Sequence, residues 1–226
     1  MFDIAWIDLI SLTAVKGHDL ESVRRIIGAE SEPVSIYDAR LNSSAPPEDA
    51  MISEWGDGIL VCQPGFGTKC AKPETLAALA TAGRSVMTTC WHDRSISPAY
   101  PEGDDLLALA VDGRLLSALD PSNLQQQRFG YDTSALDPYL AGTRFDYETI
   151  AVWSQAGQTI GDGADGSITV AHWRYACLSA LERFMQAELH EDLVRSVVPG
   201  RNFFLSDSLP EPPMPVSEFL NCSRGG

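Results

Sequence analysis

Lysine is nearly missing from this chain. Of its 16 Lys and Arg side chains only Lys16, Lys69 and Lys72 are lysine, and 31 Asp and Glu outweigh them for a net charge of −15. The basic residues are nowhere clustered. Affinity for nucleic acid draws largely on counterion release by clustered Lys and Arg, so no nucleic acid partner is expected. An anionic membrane surface is disfavoured by the same sign. Long apolar runs are missing too, since nothing approaches the roughly 18 uninterrupted residues of a membrane span. Cysteine is sparse and odd in number: Cys62, Cys70, Cys90, Cys177 and Cys222 show neither a C-x-x-C pair nor a Cys/His zinc spacing. They read as reduced thiols that behave as small hydrophobes, and no metal site and no cofactor are expected.

What is present is an ordinary globular chain of 226 residues, 44% hydrophobic. A chain of this size buries roughly 70% of its surface on folding and needs no staples. The negative charge is evenly spread: residues 1–113 carry 8 basic and 17 acidic side chains, and residues 114–226 carry 8 and 14. A field of that sign favours cations or a basic protein surface and keeps the protein soluble. The N-terminus offers Asp3 and Asp8 where a secretory leader needs positive charge, so a mature cytoplasmic chain is expected.

Along the chain, Trp6, Leu9, Ile10, Leu12 and Val15 form a broad apolar face that predicts a helix over residues 4–16, closed by Gly17. Asp19 caps a second helix through Leu20, Val23 and Ile27 that stops at Gly28. Val34 and Ile36 suggest a short strand, and Ile59-Leu60-Val61-Cys62 a buried one. A helix starts at Pro73 and stops at Gly83. Residues 85–92 alternate as a strand, with Cys90 and His92 on one side and Trp91 on the other.

Asp112-Gly113 stands between two apolar runs, where both residues can take positive φ, and predicts a two-residue hairpin joining strands 105–111 and 114–119. The expected register sets Val111 opposite Arg114, Ala110 opposite Leu115, Leu109 opposite Leu116 and Ala108 opposite Ser117. Ala118 then shares a face with Leu107 and Leu109, and Leu119 shares the other with Leu106 and Ala108. Both faces are apolar and both should be covered. A short helix around Leu136, Tyr139 and Leu140, a strand at Ile150–Trp153, and a long helix from Ser167 or Thr169 through Trp173, Cys177, Leu181 and Phe184 follow. The expected class is α+β, a mainly antiparallel sheet with a central Asp-Gly hairpin covered by helices. Residues 1–205 form one domain and residues 206–226 a proline-rich tail.

Asp112-Gly113, Leu119-Asp120-Pro121 and Arg128-Phe129-Gly130, taken with the Trp6 helix and the helix from Pro73, resemble an uncharacterised actinobacterial domain family of unknown function over roughly residues 3–205. The resemblance implies architecture and no activity, and it lends no catalytic residue.

Three segments carry chemistry-bearing residues. Gly161-Asp162-Gly163-Ala164-Asp165-Gly166 matches G-x-G-x-x-G, but its two carboxylates stand where a pyrophosphate must approach backbone amides, so it reads as a turn. Gly65, Gly67, Lys69 and Lys72 follow a buried strand and lead into a helix, a setting for a small anion, with Cys62 and Cys70 placed to meet across the turn. Cys90, His92, Asp93 and Arg94 form the densest reactive group and are the catalytic candidates. Cys90 and His92 share a strand face, whereas His92 and Asp93 point apart. His172 lacks a carboxylate at i+4, and His190-Glu191 lacks the second His of a metalloprotease pair.

The expected function is therefore a non-catalytic cytoplasmic binding protein that recognises another protein with a basic surface, immunity-like or regulatory. The alternative is a tailoring lyase, cyclase or hydrolase that takes a small-molecule ligand in a pocket near residues 90–94.

Overall fold

A computed structural model describes residues 10–29, 49–64, 68–81, 83–91, 105–123, 128–151, 167–194, 202–206 and 208–220. Helices pack on both faces of a seven-stranded antiparallel sheet, so the α+β class holds. The strands are β1 (Ile10–Lys16), β2 (Asp49–Trp55), β3 (Gly58–Pro64), β4 (Ser85–Trp91), β5 (Asp105–Val111), β6 (Arg114–Leu119) and β9 (Asn202–Phe204), in the order β6-β5-β4-β1-β3-β2-β9. A separate two-stranded sheet pairs β7 (Tyr147–Ala151) with β8 (Ser167–Ala171). The helices are α1 (Leu20–Ile27), α2 (Pro73–Leu79), α3 (Asp137–Leu140), α4 (His172–Met185) and α5 (Val216–Leu220). Among the described residues no helix is long and apolar enough to cross a membrane.

The middle place in the sheet belongs to β1, which corrects the helix expected over residues 4–16. Residues 1–9 lie outside the described residues. A central strand is buried on both faces, so its apolar positions run nearly without a break and mimic a helical stripe. Here Ile10, Leu12 and Ala14 face one core and Val15 the other. Thr13 and Thr88 of β4 bond through their hydroxyls at 2.8 Å on the Val15 side, which lets a buried polar pair satisfy itself across strands.

Two layers cover the sheet. On the Val15 face lie α1, α2 and α5; on the other lie α3 and α4, with Trp173, Leu178, Leu181 and Phe184 inward. Asp19 Oδ1 accepts from Ser22 N at 2.7 Å and Gly28 closes α1 at φ 67°, as the caps predict. The long helix begins at His172, later than expected, because Ile168, Thr169 and Val170 are β-branched and join β8. The strand expected near Val34 and the G-x-G-x-x-G turn lie outside the described residues, as do Val152 and Trp153.

The β5–β6 hairpin forms, with Asp112 at φ 49° and Gly113 at φ 74°, but at one edge of the sheet, not its centre. Its register holds for Val111↔Arg114 and Ala110↔Leu115, then shifts, so Leu109 faces Ser117 and Ala108 faces Ala118. Leu116 is the extra residue of a bulge. Because side chains alternate with period two, everything beyond it changes face: Ala118 joins the α2 side and Leu119 the α4 side, the reverse of the expected pattern. The bulge serves the segment that follows. Leu115 O accepts from Tyr131 N at 3.0 Å and Leu116 O from Asp132 N at 2.8 Å, so part of the edge is covered. Gly130 is required there, since a Cβ would sit 2.3 Å from Leu116 O.

The proline-rich segment is tied to the domain at its end. Phe219 is fully buried and Leu220 nearly so, both in the core cluster beneath α2.

Candidate functional site

Both sequence candidates leave the same end of the sheet. Ile10, the first described residue of β1, is registered with Pro64 of β3 on one side and Trp91 of β4 on the other. The turn after β3 and the end of β4 therefore start two strand spacings apart, about 10 Å. One residue further in, Gln63, Ser11 and Cys90 stand side by side on the α1–α2 face, all buried. Gln63 Oε1 accepts from Cys70 N at 2.7 Å, while Ser11 Oγ has no hydrogen-bond partner among the described residues.

Cys90 has no exposed surface. A thiol so placed reacts only when the structure opens, because nucleophilic cysteines need access and a stabilised thiolate. His92, Asp93 and Arg94, the rest of the catalytic candidates, lie outside the described residues. Of the anion candidates, Gly65 and Gly67 also lie outside them. Lys69 is 3% exposed, and its Nζ donates to Ser206 O at 2.6 Å and to Ser206 Oγ at 3.3 Å. That ammonium anchors the chain after β9. Lys72 is half-buried and its carbonyl accepts from Leu76 N in the first turn of α2.

The thiols do not meet. Cys62 points to the α4 core and Cys70 to the α1–α2 core, with the sheet between them, so the two thiols that flank the turn are separate, free and buried. Burial pushes the Cys62 and Cys177 thiols up to about 12, which keeps them protonated.

On the other face, the end of β4 is held by aromatic rings. Trp91 meets Trp173 of α4 edge-on at 5.9 Å between centroids, and the Arg174 guanidinium carbon lies 5.7 and 5.4 Å from the two indoles. Trp173 Nε1 donates to the Tyr147 hydroxyl at 3.0 Å. Beside it, His172 Nε2 lies 2.9 Å from Glu148 Oε2. The carboxylate missing from the helix at i+4 is thus supplied by β7, a long-range partner that no local spacing encodes. In the neutral imidazole the Nε2–H donates its hydrogen bond to the Glu148 carboxylate. Arg144 pairs with Asp146 at 2.6 Å and with Glu148 at 3.5 Å, and its guanidinium hydrogen bond holds the Asp146 carboxyl below its usual range. His172 N donates to Asp146 O at 3.0 Å, fixing the start of α4 to the residue that leads into β7.

The result is an exposed ridge on β7 and the first turn of α4. Tyr147 is 55% exposed, yet its hydroxyl is fixed by Trp173 and charged pairs of both signs flank it. Among the described residues no group of His, Cys, Asp and Glu could hold a metal ion. No family model, curated protein or solved structure matches the chain.

Proposed function

We propose that the chain is a non-catalytic cytoplasmic binding protein that recognises another protein, in an immunity-like or regulatory role. The observation that carries this reading is Tyr147, a large ring left exposed while its hydroxyl is held by Trp173, with Arg144 holding Asp146 and Glu148, and Glu148 holding His172, beside it. Tyrosine and arginine are enriched at recognition surfaces, and an anchor already fixed loses little freedom on binding. The net charge of −15 favours a partner with a basic surface and disfavours nucleic acid. The likeness to an uncharacterised actinobacterial family belongs to this proposal and supplies no activity of its own. Capture from the native host with the intact chain should recover a partner, and Tyr147→Ala should lose it while leaving the fold intact. Equal capture by both proteins refutes the ridge as the site.

The second reading, a small-molecule tailoring enzyme, is favoured by one observation: Arg174 beside two indoles at the strand end that continues into His92, Asp93 and Arg94. Both indoles are buried beneath it, so the half-buried Arg174 cation is the group that would meet an anionic ligand. Loss of turnover in His92→Ala would support it, and unchanged turnover would sink it.

A further inference from the structure

Every residue from Leu209 to Pro215 is a proline or stands directly before one: Pro210, Pro212, Pro213 and Pro215 follow Leu209, Glu211, Pro212 and Met214. Proline fixes its own φ at about −65° and drives the residue before it into extended backbone. The sequence alone therefore dictates polyproline II, and residues 208–215 contain no helix or strand. The run bends at Pro213 and Met214, where the Met214 methyl lies beside Gly113, so its unbent part is Leu209–Pro213.

Both ends of that run are held. Before it, Ser206 N donates to Gly28 O at 2.9 Å, and Ser206 Oγ lies 3.1 Å from Ser208 Oγ. After it, Pro215 O accepts from Glu218 N at 2.9 Å and from Phe219 N at 3.0 Å, and Phe219 is core. Between the two, among the described residues, no backbone group of 209–214 makes a hydrogen bond. Leu209, Glu211 and Pro213 are exposed, whereas Pro210 and Pro212 are half-buried. Three large apolar side chains stand exposed among the described residues, and one of them is Tyr147 of the ridge. The other two flank this run: Leu209 opens it, and Tyr131 lies beyond its end, with Tyr131 Oη donating to Glu218 O at 3.5 Å and the Arg114 guanidinium 5.1 Å from the ring centre.

A plain tether needs neither a leucine in water nor three prolines in four residues. Grooves lined by aromatic side chains read such a run, packing rings on its prolines and donating from Tyr or Trp to its unpaired carbonyls. Without N–H groups at positions 210, 212 and 213 the run cannot be read as an added β-strand. A segment already extended and fixed at both ends loses little freedom on binding. We infer that Leu209–Pro213 is a preformed ligand for a partner domain whose groove is lined by aromatic side chains and carries a Lys or Arg opposite Glu211. The net charge of −15 favours that basic group. This surface goes beyond the Tyr147 ridge and does not depend on it.

The test uses the full chain with a photo-reactive amino acid in place of Ser217, which is exposed and lies outside the run, irradiated in an extract of the native host. A protein adduct is expected that falls by about tenfold or more with excess polyproline peptide, and equally in Pro210→Ala/Pro213→Ala. Glu211→Arg, an exposed change that leaves the body folded, should lose the adduct as well. Three results overturn the inference: no protein adduct, an adduct indifferent to the peptide and to the variants, or an adduct that yields to the variants but not to polyproline. An adduct from position 147 should ignore the peptide and all of these substitutions, so the ridge and this run fail separately.

Discussion

On the α1–α2 face, β1, β3 and β4 mix Ser11, Thr13, Gln63 and Thr88 with Val15, Ile59, Val61, Val86 and Cys90; on the α4 face the same strands present Ile10, Leu12, Ala14, Leu60, Cys62, Met87 and Trp91 together with Thr89. The covering layers differ in the same sense. A helix of 14 residues, with the four-residue α3 beside it, lies over the apolar face, whereas the mixed face is covered by helices of eight, seven and five residues. Large apolar side chains under a long helix leave little room for partial opening. On the mixed face Thr13 and Thr88 satisfy each other within the sheet, and the cover is built from short pieces. The apolar face holds α4, and through it the Tyr147 ridge; the mixed face holds the short C-terminal helix α5.

The largest expected effect breaks the contrast directly. Leu181→Ala in α4 should cost about 2–5 kcal/mol in urea unfolding. Phe219→Ala, although Phe219 is equally buried, should cost less than Leu181→Ala, because it sits in a five-residue helix held chiefly by α2 and β6. Equal losses would erase the distinction between the faces. Next in size, Gly130→Ala should destabilise by about 1–3 kcal/mol, since a Cβ there meets Leu116 O at φ 123°. Amide exchange should then quicken at Tyr131 and Asp132, with α4 unaffected.

The smallest effect concerns His18, at the junction of β1 and α1. Its Nε2 donates to Leu79 O at 2.8 Å at the end of α2, and its Nδ1 is buried with no hydrogen-bond partner among the described residues. Burial lowers its pKa below 6.5, aided by the Arg84 cation and opposed by the bond to Leu79 O and by Asp19. The unfolded chain therefore binds the proton more readily. The contribution to stability is complete above pH 6.5 and is lost as pH falls through the depressed folded value. The melting temperature of the wild type should drop on acidification from pH 7 to pH 5 more than that of His18→Gln; parallel curves would remove His18 from the account.

Much of the fold was legible where local chemistry acts alone. Asp19 and Gly28 cap α1, Pro73 opens α2, and Asp112-Gly113 turns the hairpin, because each meets a backbone need within a few residues. What depends on distant neighbours was not legible. The stripe at Ile10, Leu12 and Val15 suits a helix or a strand buried on both sides, and only β3 and β4 decide between them. The Leu116 bulge is set by residues 129–132, fourteen or so positions on. In the site, the clustering of Cys90 with His92 was visible, but the burial of Cys90 depends on the layer above it. The pairing of His172 with Glu148 and the bond from Trp173 to Tyr147 join residues that are 24 and 26 positions apart. Those contacts define the ridge, and no spacing rule reaches them.

A photo-reactive amino acid at position 147, irradiated in the native host, tests protein recognition by this ridge most directly. The account predicts one recurrent protein adduct that disappears when Glu148→Arg reverses the local charge. No protein adduct at position 147, or an adduct indifferent to Glu148→Arg, would contradict it.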